Sequence, residues 1–183
     1  VGGLPLWPND SLSANAISGR AGATFRVASP FWLHFNYSRG FRAPNITDLG
    51  TIGIQGNGNF ETSYADIANR NAEIGDRADS AAKSTGTAVA KLRPETSDNL
   101  DYGFTVRTGR VRAELNGFWN RLNNTVVSQT LLLPQGAVGQ ALGDQIISRQ
   151  LASGAVYVPA ATNPVLVRAN YGGARLKGLE QSL

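Results

Sequence analysis

The sequence predicts an all-β protein whose strands run antiparallel and up and down, as about five strands of a larger transmembrane β-barrel. Three observations carry this prediction. Apolar and polar residues alternate over four segments, which is typical of half-exposed strands. The links between these segments are either very short or very long, and aromatic residues cluster near both ends of the strands.

Composition and charge exclude several classes of function. The 183 residues include no cysteine and a single histidine, His34, so neither a disulfide framework nor a thiolate or histidine metal site is expected. Acid/base catalysis would depend on carboxylates, and pairs such as Asp98/Asp101 have no catalytic context around them. The 17 lysines and arginines, which leave a net charge of +4, are scattered along the chain. We therefore expect no enzyme, no cofactor, no metal and no nucleic-acid partner.

The ends of the sequence and its hydropathy add further expectations. The chain starts at Val1 without an initiator methionine or a signal-peptide pattern, and it stops inside an alternating segment. This pattern predicts a fragment of a longer protein. No run of about 18 apolar residues is present, so a membrane-spanning helix is not expected, whereas the shorter alternating strands of a membrane barrel fit the sequence.

The first predicted hairpin joins strands near residues 20–28 and 31–39. The apolar positions of these strands are Ala21, Ala23, Phe25 and Val27, followed by Phe31, Leu33, Phe35 and Tyr37. Only Ala28-Ser29-Pro30 separates the two runs, which is a hairpin-length link. Placing Val27 opposite Phe31 puts apolar residues against apolar residues along the hairpin, and a slip of one residue would break that match.

A second hairpin is predicted from strands near residues 98–107 and 111–121. The apolar positions are Leu100, Tyr102, Phe104 and Val106, followed by Val111, Ala113, Leu115, Gly117 and Trp119. Thr108-Gly109 supplies a short link with a glycine for positive φ. Placing Val106 opposite Val111 again aligns the apolar faces.

The remaining links are far longer than the connections of a compact domain. They cover residues 40–97 and 122–164. The first contains an alanine-rich segment at residues 64–83 that predicts a short helix, and the prolines and glycines of the second allow at most short local hairpins. A further strand is expected at residues 165–183, with Gly172-Gly173 as a bulge or bend before a new strand at Arg175.

In an up-and-down sheet, this order of links places the short turns at one end and the long loops at the other. Outer-membrane barrels have the same asymmetry, with short periplasmic turns and long extracellular loops. Phe31 and Trp32 near the short turn are predicted to mark one membrane interface, and Tyr37, Phe118 and Trp119 the other. Periodicity alone also permits a soluble β-sandwich, such as an adhesin or a carbohydrate-binding module.

Three segments, in this order, resemble TonB-dependent outer-membrane receptors: YSRGFRAPNITDL (residues 37–49), LRPETSDNLDYGF (92–104) and NYGGARLKGLE (170–180). The first is similar to the family's GFRAP followed by an acidic residue and leucine, the second to its L-K-P-E segment, and the third to N-x-G-x-A-x-x-x-G-x-E. Arg93 stands where the family usually has lysine, and Asp48 where it often has glutamate. The resemblance covers residues 20–183 and corresponds to part of the C-terminal half of the family's barrel.

The resemblance implies a function, a location and partners. Family members take up scarce, bulky solutes such as ferric siderophores, cobalamin or oligosaccharides across the bacterial outer membrane, with energy from the TonB complex. Their barrels have about 22 strands around a plug, so the plug and the TonB contact are expected outside this sequence. The expected partners are outer-membrane lipid, lipopolysaccharide, the TonB complex and a small-molecule or oligosaccharide ligand. A passive porin without energy coupling is the other barrel alternative.

The resemblance also places candidate contacts with the solute or the plug at Asn36, Arg39, Arg42, Arg112, Glu114 and Asn116. Four of these, Asn36, Arg112, Glu114 and Asn116, belong to the polar strand faces and are expected to line the wet interior. Arg39 and Arg42 are expected where the strand emerges into water, near anionic lipopolysaccharide or an anionic ligand, or in ordinary interfacial packing. For Glu114 a cross-strand ion pair is the favoured interpretation, and contact with the solute or the plug is the alternative.

Overall fold

The computed structural model describes residues 12–49, 53–54 and 58–183. Parts of the predicted loop 40–97, residues 50–52 and 55–57, lie outside the described residues. The described strands are β1 (Gly19–Ala28), β2 (Phe31–Arg42), β3 (Gly53–Ile54), β4 (Phe60–Thr62), β5 (Glu73–Gly75), β6 (Ser84–Ala88), β7 (Glu95–Thr108), β8 (Val111–Leu132), β9 (Ala141–Leu142), β10 (Gln145–Ile146), β11 (Arg149–Gln150), β12 (Val156–Tyr157) and β13 (Leu166–Ser182), and the helix is α1 (Tyr64–Ile67). Within these ranges, no helix is long and apolar enough to cross a membrane.

The long strands form one sheet in the order β1-β2-β7-β8-β13. Strand β2 pairs antiparallel with β1 and with β7, and β7 pairs antiparallel with β8. Strand β13 runs opposite to β8, because Gly173 lies against the carbonyl oxygen of Leu122 whereas Gly178 lies against the ring of Phe118. The predicted antiparallel, up-and-down arrangement of these strands is confirmed.

The register of the first hairpin matches the prediction over most of its length. Phe25 lies opposite Leu33 and Ala21 lies opposite Tyr37, as the pairing of Val27 with Phe31 requires. Next to the turn the prediction is wrong, because the register shifts there and Ala28 faces Phe31. One extra residue on β1 is accommodated as an irregularity of the bulge type, which periodicity does not reveal.

The register of the second hairpin differs from the prediction by two residues. Val106 lies opposite Ala113, and Val111 lies opposite Thr108. Both strands therefore continue to a two-residue turn at Gly109 and Arg110, where Gly109 has a φ of +52° that glycine adopts at little cost. Because a shift of two residues keeps every side chain on its face, the predicted apolar and polar faces are retained.

Two strands continue beyond the points where the sequence predicts an end. Strand β8 reaches Leu132 although its prediction ends at residue 121, and it passes through Asn124 at a φ of +56°. Asparagine favours turns, but the pairing of Leu131 with Ile74 of β5 extends the sheet past this point. Strand β13 runs unbroken through its glycine pair, so no separate strand begins at Arg175.

The chain divides into two compact units, and the first contains most of the predicted loops. We call Pro44–Arg93 and Val126–Tyr171 the loop unit. It encloses an apolar core whose buried members include Phe60, Ile67, Leu131, Leu133, Leu142, Ile147, Val156, Val158, Val165 and Val167. Helix α1 lies within the predicted helical segment, and β9–β10 and β11–β12 are the short hairpins that the sequence allows. The long links are therefore folded around a core of their own.

The second unit consists of Ala14–Ala43, Pro94–Thr125 and Gly172–Leu183, which we call the strand unit. Register places its apolar side chains on one face in four rows, which are Phe31/Val106/Ala113, Leu33/Phe104/Leu115, Phe35/Tyr102/Gly117 and Tyr37/Leu100/Trp119. This apolar face is exposed: Phe35 retains 48% and Phe104 retains 42% of its accessible surface. The opposite face of the same strands is polar.

Candidate functional site on the polar face of the strand unit

The polar face is built from every second residue of the same strands. Its rows are His34/Gly103/Asn116, Asn36/Asp101/Phe118, Ser38/Asn99/Asn120 and, nearer the short turn, Thr105/Glu114 and Arg107/Arg112. Strand alternation brings these residues to one side, because successive side chains of a strand point to opposite faces. Residues far apart in the sequence thereby form one continuous polar surface.

A cleft of about 440 Å³ lies on this face. It is lined by His34, Asp101, Asn116, Gly117, Phe118, Asn120, Leu176 and Glu180. The amide of Asn36 donates a hydrogen bond to the Asp101 carboxylate over 3.3 Å at the edge of this group. The Oδ1 atom of Asn116 is buried and has no hydrogen-bond partner among the residues that the structure describes. Two carboxylates and an unpaired amide oxygen make the cleft suited to a cationic or hydrogen-bond-donating group.

Arg112 and Glu114 form an ion pair beside this cleft. Both residues lie on β8, and the contact that Glu114 makes across strands is a hydrogen bond from the Thr105 hydroxyl over 3.2 Å. The prediction of a cross-strand ion pair is therefore wrong. Side chains two positions apart on one strand share a face, and the long guanidinium of Arg112 reaches along that face to Glu114.

Trp32 lies on the polar face, where two arginines contact its ring. The guanidinium carbon of Arg26 is 5.6 Å from the ring centroid and that of Arg107 is 6.0 Å away, which are cation–π distances. Its neighbour Phe31 lies on the apolar face, and the same alternation separates Phe118 from Trp119. The prediction that Trp32 and Phe118 mark a membrane interface is therefore wrong, since adjacent residues of a strand cannot share a face.

The two arginines at the end of β2, which were predicted to contact the solute or the plug, also lie on opposite faces of the sheet. Arg42 belongs to the polar face and forms an ion pair of 2.7 Å with Glu95 directly opposite. Arg39 belongs to the apolar face, where its guanidinium is 3.7 Å from the Asp98 carboxylate that also accepts a hydrogen bond of 2.7 Å from Tyr37. Of the predicted contacts, Asn36, Arg42, Arg112, Glu114 and Asn116 thus share the polar face, and Arg39 does not.

Charged residues of the loop unit tie the ends of the three sequence segments together. Arg168 at the start of β13 is 3.3 Å from both Asp48 and Glu61, whose side chains are each only 5% exposed. Asn170 accepts a hydrogen bond of 2.7 Å from the amide of Arg93 and donates one of 2.9 Å to its carbonyl oxygen. Asp48, Arg93 and Asn170 belong to the first, second and third segments, and Arg168 lies two residues before the third, so these contacts join parts of the three segments within the loop unit.

Sequence reasoning missed several of these contributors. It identified neither Trp32 with its two arginines nor Glu180, because it treated single strands without knowing which strands are neighbours. The position of Glu180 in the third segment was the available signal for the cleft. In the described part of the chain, no group of three or more His, Asp or Glu side chains has the arrangement of a metal site.

Comparison with known proteins decides the family. The family described as TonB dependent receptor-like, beta-barrel matches residues 2–183. The chain belongs to this family. A comparison with curated proteins finds no match.

Two solved structures are similar to this TonB-dependent receptor barrel chain. One is the siderophore receptor PirA from Pseudomonas aeruginosa, with 21% sequence identity, a TM-score of 0.44, and coverage of 90% of this chain and 24% of that chain. The other is a double mutant of the Serratia marcescens hemophore receptor HasR in complex with its hemophore HasA and heme, with 17% identity, a TM-score of 0.48, and coverage of 90% of this chain and 19% of that chain. The chain thus spans less than a quarter of the length of both.

Membership of the TonB-dependent receptor family confirms the predicted fold class and decides against the soluble β-sandwich. The family consists of receptors rather than enzymes. In a barrel segment the two faces of the sheet have different surroundings, and the polar face with its cleft is the candidate site.

Proposed function

We propose that this chain forms part of the wall of an outer-membrane receptor that takes up a scarce, bulky solute with energy from the TonB complex. The solute belongs to the siderophore, cobalamin or oligosaccharide class. The observation that carries the proposal is the apolar face of the strand unit, which on β2, β7 and β8 is uncharged over four rows and keeps large side chains such as Phe35 and Phe104 exposed, while the opposite face is polar. Family membership supports the same function.

The apolar face has the extent that the hydrocarbon core of a membrane requires. From Val111 to Trp119 a strand rises about 26 Å at roughly 3.3 Å per residue, close to the outward apolar band of about 25 Å in outer-membrane barrels. Phe25, Leu33 and Phe35 remain 62%, 49% and 48% exposed on this face. A continuous apolar surface of this kind is uncommon on a protein in water, whereas it is stable against lipid.

The lengths of the links between the strands indicate how the barrel segment is oriented in the membrane. Strands β1/β2 and β7/β8 are joined by short turns at one end, whereas the loop unit follows the other end of β2 and β8. Outer-membrane barrels place short turns in the periplasm and long loops outside the cell. The loop unit is therefore proposed to face the medium, where a solute arrives.

The polar face is proposed to line the barrel interior, with Asn36, Arg42, Arg112, Glu114 and Asn116 among its contacts to the plug or the solute. Arg112 and Arg42 are already paired with carboxylates, so their proposed role is to hold fixed hydrogen-bonding geometry rather than to supply free charge. The cleft around Asp101 and Glu180 is the part of this face that accepts a cation or a hydrogen-bond donor.

The lipid contact is tested with spin labels in the full-length receptor reconstituted into bilayers. Labels replacing Leu33 and Phe35 are expected to collide strongly with dissolved oxygen and weakly with a water-soluble nickel chelate. Labels replacing His34 and Thr24, which lie at the same height on the polar face, serve as matched controls and are expected to show the reverse or no oxygen preference. Immobile labels at Leu33 and Phe35, shielded from both reagents, would show that protein covers this face and would contradict the proposal.

Energy coupling and the polar contacts are tested by uptake. Cells that depend on the receptor for an iron, cobalamin or oligosaccharide source should lose growth when TonB is deleted. Uptake that persists without TonB would instead support the passive porin. Asn36→Ala and Asn116→Ala are expected to reduce uptake in cells with TonB, and unchanged uptake would remove these residues from the proposed interior site.

A further inference from the structure

The loop unit is built from two stretches of chain that are far apart in the sequence. We call residues 44–93 its first half and residues 126–171 its second half. Residues 94–125 of the strand unit separate the two halves along the chain. Loops separated in this way open independently unless specific contacts join them, because stability varies from region to region of a protein. The contacts between the halves therefore decide whether the loop unit opens in parts or as a whole.

Two backbone ladders join the halves. Strand β4 of the first half pairs in parallel with the start of β13, where Glu61 lies opposite Leu166. Strand β5 of the first half pairs antiparallel with the end of β8, where Glu73 lies opposite Leu132. Glu61, Leu166 and Leu132 are all buried, and a buried backbone group that loses its hydrogen bond is destabilised. Neither half can withdraw without breaking both ladders.

A buried ion cluster also draws its members from both halves. Asp48 and Glu61 of the first half are each 3.3 Å from Arg168 of the second half. The hydroxyl of Ser128, again in the second half, donates a hydrogen bond of 2.7 Å to Glu61. The carboxylates thus belong to one half, and the cation that they share belongs to the other. Because a buried charge that loses its partner is unstable, this cluster stabilises either half only when the other is in place.

The apolar core is shared between the halves in the same way. Phe60 and Ile67 come from the first half, and Leu131, Leu142 and Ile147 come from the second. Each of these side chains is at most 1% exposed. Because all of them belong to one cluster, the loss of either half would expose apolar surface of the other to water.

We propose that the two halves form one cooperative conformational unit, in which neither half keeps its folded form without the other. Ladder pairing, charge pairing and apolar burial all cross between the halves, so the loss of one half removes all three from the other. A molecule that binds to one half only would stabilise the other half through the same contacts, since coupling between two sites is reciprocal. The two long links of this chain thus respond as one body rather than as two separate loops. This inference concerns the loop unit alone and is independent of the proposed uptake.

The test is amide hydrogen exchange in the full-length receptor, with one reporter amide in each half. In the first half the amide of Val89 donates to the carbonyl oxygen of Ala72 over 2.8 Å, and in the second the amide of Val165 donates to that of Val156 over 2.9 Å. Phe60→Ala, in the first half, is expected to accelerate exchange at both amides by at least about 100-fold, because the cavity destabilises the whole unit. The factor should be about the same at the two amides.

The reciprocal variant is Ile147→Ala in the second half, which should also accelerate exchange at both amides by similar factors. Ile146→Ala is the matched control, because this neighbouring side chain is 59% exposed, and it should leave both rates within about twofold of the wild type. If the alanine variants do not fold, Ile147→Val removes a single methyl group and should accelerate both amides about 2- to 10-fold. Acceleration confined to the half that carries the substitution would overturn the proposal, whatever the outcome of the lipid and uptake tests.

Discussion

The two units of this chain use similar apolar residues in opposite ways. In the loop unit Phe60 is 1% exposed and Leu131 is 0% exposed, whereas in the strand unit Phe35 and Leu33 are 48% and 49% exposed. The loop unit buries its apolar side chains against one another around a closed core, as a protein in water does. The strand unit arranges them in rows on one face of a sheet and leaves them uncovered.

We attribute this difference to what surrounds each apolar side chain, which is protein in the loop unit and, in the function proposed above, lipid at the strand unit. Burial of Phe60 removes apolar surface from water, so its loss leaves a cavity in a packed core. Phe35 is proposed to contact acyl chains that refill the space of a deleted side chain. Three predictions use this contrast, in order of decreasing effect.

The largest effect is expected from matched phenylalanine deletions in the full-length receptor. Phe60→Ala should lower the free energy of opening of the loop unit by about 3–5 kcal/mol, because a large side chain leaves a closed core. Phe35→Ala should change the stability of the strands by no more than about 1 kcal/mol. Hydrogen exchange at the amide of Leu131, which donates to the carbonyl oxygen of Val165, reports the first change. Equal losses for the two variants would show that both faces are packed alike.

A smaller effect is expected from the buried ion cluster of the loop unit. Arg168→Met removes the cation that Asp48 and Glu61 share and should cost about 3 kcal/mol, since breaking a largely buried ion pair by deleting one partner is strongly destabilising. Arg149→Met, which removes a guanidinium 3.7 Å from the ring of Tyr157 in the same unit, should cost about 1 kcal/mol or less. Limited proteolysis of the loop unit orders the two variants, and a similar cleavage rate for both would contradict a supporting role for the cluster.

The smallest effect concerns pH and an exposed turn between β5 and β6. The hydrogen-bonded Arg77 guanidinium, and then the backbone amide of Lys83, hold the pKa of the Asp76 carboxyl below its usual value. Because the folded pKa lies below the unfolded one, this stabilisation is complete above the unfolded pKa and is lost as the pH falls through the folded pKa. Asp76→Asn should abolish that acid-range dependence and slightly lower stability at neutral pH, where the wild type has the full contribution, while leaving stability in acid nearly unchanged. An NMR titration in which Asp76 titrates at its ordinary pKa would remove the basis of this prediction.

Much of the strand unit was predictable from the sequence because its information is local. Alternation placed Leu33, Phe35, Phe104 and Leu115 on one face, and this assignment survived a register error of two residues in the second hairpin, since such an error preserves the face. The prediction for Trp32 and Phe118 was wrong because it considered their height along the strand and not the face on which their side chains lie. Glu114 was assigned to the correct face, but its partner Arg112 required knowledge of side-chain reach.

The loop unit and the site could be predicted only in part, because their contacts join distant residues. Arg168 meets Asp48 across 120 positions of the sequence, and no local pattern announces such a contact. The apolar side chains of segment 122–164 follow neither the period of a strand nor that of a helix. Many of them lie on or near short hairpins and fill an irregular core. Predicting the cleft would require knowing that β2, β7, β8 and β13 are neighbours in the sheet. Alternation within single strands does not specify which strands are neighbours.

Residue patterns alone predicted the faces of the strands, the alternation of short and long links and, through three segments, the family. These features are written in residues that are close together or follow a fixed period. Only the three-dimensional structure shows that the long links fold around a core, that β2 continues as far as Arg42, and that Arg121 and Arg175 share one cleft. The physical reason is that strand order and side-chain packing bring together groups whose separation in the sequence carries no periodic signal.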